Sequence, residues 1–271
     1  MSDTATTIDR SAFEAEHARW HERVEARRTA PYGPLSVTSL RWLGAEPQCF
    51  AQLPGAWRAE ADGTVIAELA EGESLVLDGE TITGELRLGP LAGIETATVE
   101  HGELRIEAAA RGGSIALRVR DPRSSDRVDY PGTAVFPPEP RWVVDARFVP
   151  VPQDDVEVDS IIPGKPQHYD SPGVAEFELD GRALRLVLFR GAGPDGLRAI
   201  FADADERTFP AARNVEVERI GPDAVRIDFN RATNPPCAYS AGATCPLPPP
   251  GNRLPVPIPA GEAAPGRTPH D

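Results

Sequence analysis

Apolar and polar residues alternate with a period of two through most of residues 64–231, the spacing that turns one face of a strand to a core and the other to water. In the first half the pattern predicts strands over 64–69, 74–77, 80–83, 85–88, 97–100, 103–108 and 114–120. In the second half it predicts seven more, over 141–150, 156–162, 174–179, 183–190, 197–203, 215–220 and 225–231. Asp78-Gly79 and Asp180-Gly181 supply tight hairpin turns between adjacent runs. Short strands with turn residues at roughly 8 to 12 residue spacing point to a sandwich or a barrel.

Helical spacing occurs once, over 7–29, where Phe13, His17, Trp20 and Val24 recur at steps of three and four on one face. Ser11 and Glu14 have the spacing of a capping box. His17 belongs to the core-facing stripe, and His21 beside it is expected in solvent. Residues 35–43 are compact and apolar, with Trp42 and the more distant Cys49 expected in the core. The predicted fold is therefore mainly β: antiparallel sheets forming a sandwich or barrel, with one N-terminal α-helix. The rigid Pro137-Pro138-Glu139-Pro140 bend divides it into a helix and turn over 1–34, a first β lobe over 35–136 and a second over 137–271. A single domain is the alternative.

The chemistry-bearing residues crowd into 225–262. Val225, Ile227 and Phe229 alternate with Arg226, Asp228 and Asn230, so Asp228 and Asn230 are expected on one polar strand face. Asn234-Pro235-Pro236-Cys237 must end that strand, because proline lacks a backbone donor and keeps its predecessor out of helical geometry. The proline run of 246–250 is extended, and the segment 254–258, with prolines at 255 and 257, is placed at a sheet edge or across the surface.

The runs DFNRA, PPCAY, CPLPPPGN, PVPI and AGE in this stretch resemble the C-terminal pattern of the domain of unknown function 1684 family, as do GPLSVTSLRWL at 33–43, Arg118 to Asp121 and the stretch 142–148. Where members of that family often carry a Thr-Ser/Asn-Gly turn and a tyrosine, this chain reads DADERTF, with Phe209 at the tyrosine position. The resemblance implies a domain and carries no established reaction.

Composition narrows the partners. A formal net charge of -14 argues against nucleic acid and anionic membranes, which need a basic footprint. No apolar leader and no membrane-length apolar stretch appear, so a cytoplasmic location is expected. Of the 28 basic residues only Lys165 is a lysine, and arginine forks bind carboxylates and phosphates but do not serve as general bases.

Cys237 and Cys245 lack the further closely spaced ligands of a zinc site and are expected as reduced thiols. No cofactor is expected and no glycine-rich phosphate loop is present, while Ser160 and Ser240 lack a nucleophile elbow, which disfavours a serine hydrolase. Asp121, Asp129, Asp203 and Asp228 are possible acid–base carboxylates, or turn-capping groups. The candidate ligand-binding set is Arg231, Arg253, Asp228, Asn230, Asn252, Asn234, Tyr239 and Arg213. One reading is a pocket at the C-terminal signature that binds, or binds and transforms, a small anionic or polar metabolite. The other makes these residues a structural clasp in a non-catalytic β-rich interaction module.

Overall fold

The computed structural model describes residues 9–240 and 242–267. The start of the helix expected over 7–29 therefore lies partly outside the described residues. The observed helix, α1, runs Arg10–Arg28. Its cap is Asp9, whose carboxylate accepts the Ala12 N–H at 3.2 Å, and not Ser11 as the capping-box spacing predicted. Asp9 stands one residue before the helix, the position from which a short side chain reaches the free amides of the first turn. His17, Trp20 and Val24 are buried as the stripe requires. His21 is only partly exposed and its Nε2 is enclosed, a departure from the solvent position expected of it.

The chain groups into two compact units. One comprises Arg27–Tyr130 with Tyr239–Thr244. Its strands are β1 (Val37–Leu43), β2 (Gln48–Cys49), β3 (Ala56–Ala59), β4 (Val65–Glu68), β5 (Leu75–Leu77), β6 (Glu80–Ile82), β7 (Glu85–Leu88), β8 (Thr96–His101), β9 (Leu104–Arg111) and β10 (Ser114–Arg120). They form a six-stranded sheet ordered β1-β10-β9-β8-β5-β6 and a four-stranded sheet ordered β2-β3-β4-β7, with all pairings antiparallel. Trp57, Val65, Leu75, Ile106, Ala108 and Leu117 are among the side chains that fill the space between the sheets. Trp42 is half-buried and Cys49 exposed, because β1 and β2 are the edge strands of their sheets, where one side of a residue remains in water. A short helix, α2 (Ser125–Val128), follows β10.

The other unit holds the chain up to Ala26, Pro131–Ala238 and the chain from Cys245. Its strands are β11 (Val143–Val158), β12 (Gln167–Leu179), β13 (Arg182–Arg190), β14 (Leu197–Phe201), β15 (Arg213–Gly221) and β16 (Ala224–Asp228). These six close into an antiparallel barrel, with β16 returning to pair β11 from Val143↔Asp228 to Arg147↔Ala224. Closure removes the exposed edges that an open sheet would leave. The two strands expected over 141–150 and 156–162 are one sixteen-residue strand. Pro150 and Pro152 are accommodated because the register shifts between Pro150 and Gln153 and again before Val156.

Inward residues of every strand pack into one core that includes Trp142, Phe148, Phe177, Leu186, Phe201, Val215 and Ile227. Leu254, Val256 and Ile258 join it from the C-terminal segment. That segment does run along a sheet margin, but its alternate residues are buried in the barrel while Pro255 and Pro257 face out. Proline is tolerated there because backbone pairing uses the other residues: Ala202 N–H donates to Asn252 O at 3.1 Å, Leu254 N–H to Ala202 O at 2.8 Å and Ala204 N–H to Val256 O at 3.1 Å. On the outside of β13 and β14, Val187, Phe189 and Ile200 are covered by Val156, Val158 and Tyr169 from the far end of the β11–β12 hairpin. Among the described residues no helix is long and apolar enough to cross a membrane.

Candidate functional site

The C-terminal signature closes the end of the barrel where β14 and β16 finish and β15 begins. β16 stops at Asp228, and residues 229–231 form a 3-10 turn capped by Asp228 itself, whose Oδ1 accepts the Asn230 N–H at 3.0 Å and the Asn230 Nδ2–H at 2.9 Å. Asp228 and Asn230 thus meet through a turn and not along a strand face. The Asn230 amide also exchanges two hydrogen bonds with the Glu139 backbone, donating to its carbonyl at 3.0 Å and accepting from its N–H at 2.9 Å. Arg231 is half-exposed and lies between Asp228, at 3.1 Å, and Glu16 of α1. These three predicted residues form one group.

The others have separate places. Arg213 is fully buried, pairing with Asp203 at 2.8 Å and donating to the carbonyls of Ile258 and Ala260. Asn252, also fully buried, sits where β13 and β14 part after only two residue pairs: its amide accepts from Val187 N–H at 2.7 Å and donates to Val187 O at 2.9 Å and Ile200 O at 2.8 Å. Arg253 is exposed, beside Ala202. Tyr239 belongs to the sandwich unit, where its ring meets Tyr130 edge-on at 5.8 Å and carries the Arg28 guanidinium 4.5 Å above its centroid. Asp121, Asp203 and Asp228 all accept backbone amides of the turns they open.

Asn234 leads to residues that the sequence reading did not single out. Its N–H donates to Glu262 Oε2 at 2.7 Å and its Nδ2 to Ala263 O at 2.7 Å. Glu262 is fully buried, a rare state for a glutamate unless partners or a bound ion compensate for the lost water. It is aimed by the residue before it: Gly261 has φ +72°, and a Cβ there would stand 2.4 Å from Ala232 O. In the same unit, a His21 ring nitrogen, a Glu25 carboxylate oxygen and a Glu262 carboxylate oxygen all lie within 4.8 Å of one another. His21 Nε2 is enclosed and makes no hydrogen bond, while Glu25 Oε1 stands 3.9 Å from it. His17, one turn earlier, is buried, with its Nε2 at 2.9 Å from Asn230 O. A sequence signal for this group exists: His17, His21 and Glu25 recur at four-residue steps along the buried side of α1, where titratable groups are out of place unless something uses them.

Two further hollows belong to the sandwich unit. One of about 410 Å³ lies between the edge strands β1 and β2, lined by Thr38, Ser39, Arg41, Cys49 and Gln52 among others. A second, of about 240 Å³, is lined by Tyr32, Thr98, Arg105, Glu107 and Arg120. Its charges are already matched, since Glu107 pairs with both Arg118 and Arg120.

A closed antiparallel barrel, plugged at one end by a proline-rich segment that delivers a buried glutamate, defines a mainly β protein with its candidate site at the plug. The family described as Protein of unknown function (DUF1684) matches residues 128–263, about half of the chain, and the chain belongs to it. Among solved structures, an uncharacterised protein of Haloarcula marismortui, determined by solution NMR, is similar: it is 30% identical, the match covers 51% of this chain and 78% of that one, and the TM-score is 0.42. Comparison with curated proteins gives no match.

Proposed function

We propose that this protein binds a small polar ligand at the group formed by His21, Glu25 and Glu262, and that the part of the ligand held there is cationic. The observation that carries this reading is the convergence of one imidazole nitrogen and two carboxylates within 4.8 Å, one carboxylate being wholly buried. Nitrogen and oxygen donors of this kind suit a divalent metal ion, and equally an ammonium group that would donate to all three. Supporting an aim built into the fold, Gly261 and the Asn234 amide fix Glu262 from the backbone side, so the carboxylate need not be ordered on binding.

An anionic ligand at the signature has weaker support. Arg213 is committed to Asp203 and two carbonyls, and Arg231 to Glu16 and Asp228. The test is calorimetric titration of the chelator-treated protein with Mn²⁺ and Zn²⁺ in one arm and with short alkylamines and diamines in the other. Saturable binding to either class, abolished in His21→Phe and in Glu25→Gln, is expected. Binding that both variants retain, or no binding in either arm, removes the proposal.

A further inference from the structure

The two cysteines of the signature have a chemistry of their own. Cys237 lies in a 3-10 turn, Pro236–Ala238, and its N–H donates to Cys245 Sγ at 3.3 Å. The second sulfur therefore sits against the first cysteine's own backbone. Both sides of this contact are anchored independently of it. Ala238 N–H closes the turn onto Pro235 O at 2.9 Å, while Cys245 O accepts the Ile161 N–H at 2.9 Å and Leu247 N–H reaches Asp159 O at 2.7 Å. The intervening chain leaves the barrel unit after Ala238 and re-enters it at Cys245, so the pair stands at the neck of that excursion.

We infer that Cys237 and Cys245 form a peroxide-oxidisable dithiol, a modification site that closes the neck of residues 238–244 with a disulfide. Cys237 is the attacking sulfur: it is half-buried, whereas Cys245 is buried. A side-chain hydrogen bond with Cys245 lowers the Cys237 thiol below its ordinary value against the opposing effect of burial, which raises the share of the nucleophilic thiolate. The Cys237 thiolate attacks one peroxide oxygen, the O–O bond breaks, and the departing hydroxide takes up a proton to leave as water. The Cys237 sulfenic acid is then attacked by Cys245 sulfur. The S–S bond forms as the S–O bond breaks, the Cys245 proton and the hydroxyl leave as a second water, and two thiols have been oxidised as one peroxide is reduced. Cys49, exposed in the sandwich unit, provides an internal comparison.

The experiment treats the full-length protein with one equivalent of hydrogen peroxide, alkylates remaining thiols, and maps peptides by mass. The expected product lacks about 2 Da, links 237 to 245 and leaves Cys49 alkylated. In Cys245→Ser, whose hydroxyl can donate to the Cys237 sulfur in place of the lost thiol, dimedone should trap a sulfenic acid at Cys237. Recovery of both signature cysteines in alkylated form, under peroxide that oxidises free glutathione in the same tube, overturns the inference. So does dimedone labelling confined to Cys49. The wild-type mass map decides the matter even if the serine variant does not fold.

Discussion

The guanidinium of Arg213 and the carboxylate of Asp203 meet at 2.8 Å with neither side chain exposed. Asp203 also accepts the amides of Asp205 and Ile258, and Arg213 donates to two carbonyls of the C-terminal segment. The pair is thus a knot joining the end of β14, the start of β15 and the plug. Arg213→Met leaves a buried carboxylate without its cation and should destabilise the fold by about 3–5 kcal/mol in urea denaturation. The contrasting pair is Arg226 with Asp145, bidentate at 2.7 and 2.9 Å but largely in water. Arg226→Ala should cost under about 1 kcal/mol. Equal losses in the two variants would mean that burial does not set the weight of these pairs.

Asn252 replaces a stretch of sheet. The strands it joins diverge, and one side-chain amide satisfies an N–H and two carbonyls that would otherwise be buried and unpaired. Asn252→Leu, with the same branched skeleton but bulkier and without polar atoms, should lower stability by at least about 3 kcal/mol, since each orphaned backbone group costs roughly 1–3 kcal/mol. Hydrogen exchange at the Val187 amide gives a local readout. Protection there that survives the substitution would refute the role assigned to the amide.

Gly261→Ala should be among the most damaging single-methyl changes in the chain. The residue needs both a positive φ and the space that Ala232 O occupies at 2.4 Å. The expectation is loss of soluble protein, or a fall of several degrees in Tm together with loss of any cation binding at Glu262. Unchanged melting would show that the plug can move aside.

The contact of His17 with Asn230 carries a pH dependence whose direction follows from its surroundings. Burial, the dominant effect, lowers its pKa; the Asn230 carbonyl and Asp228 pull the other way, and His21 and Arg231 add to the lowering. A value depressed in the folded protein means that the unfolded chain binds the proton more readily, so the contribution is whole above about pH 6.5 and drains away as pH falls through the folded value. His17→Gln keeps a donor for the Asn230 carbonyl without a titrating ring. Its stability profile should be flatter than that of the wild type just below pH 6.5, and parallel profiles would show that other groups carry the slope.

Where local pattern and tertiary environment agree, the sequence reading located elements closely. β10 was read over its full observed span because Ile115, Leu117 and Val119 recur at every second position between Ser114 and Arg120, and the β5–β6 turn because Asp78 and Gly79 adopt the positive φ angles that such residues tolerate. β2 and β3 were missed: two- and four-residue strands among Pro47, Pro54 and Gly55 offer too few alternations to register. In the signature, the reading found a dense polar cluster but not the part each member plays. Asn252 and Arg213 serve backbone groups brought near by barrel closure, which no spacing along the chain reveals. The meeting of His21 and Glu25 with Glu262 joins opposite ends of the sequence, and only the helical repeat of the first two could have hinted at it.

The discontinuous make-up of the barrel unit bears on how the protein is born. Every strand of the sandwich has been synthesised once Arg120 is added, whereas Arg213 must wait for the carbonyls of Ile258 and Ala260, and Asn234 for Glu262. Domains tend to fold as units during synthesis. A nascent chain therefore carries paired sandwich strands together with a barrel open at one end, its apolar interior still without Leu254, Val256 and Ile258. Until Glu262 is added, the nascent chain is therefore expected to depend most on chaperones and to be most open to proteases.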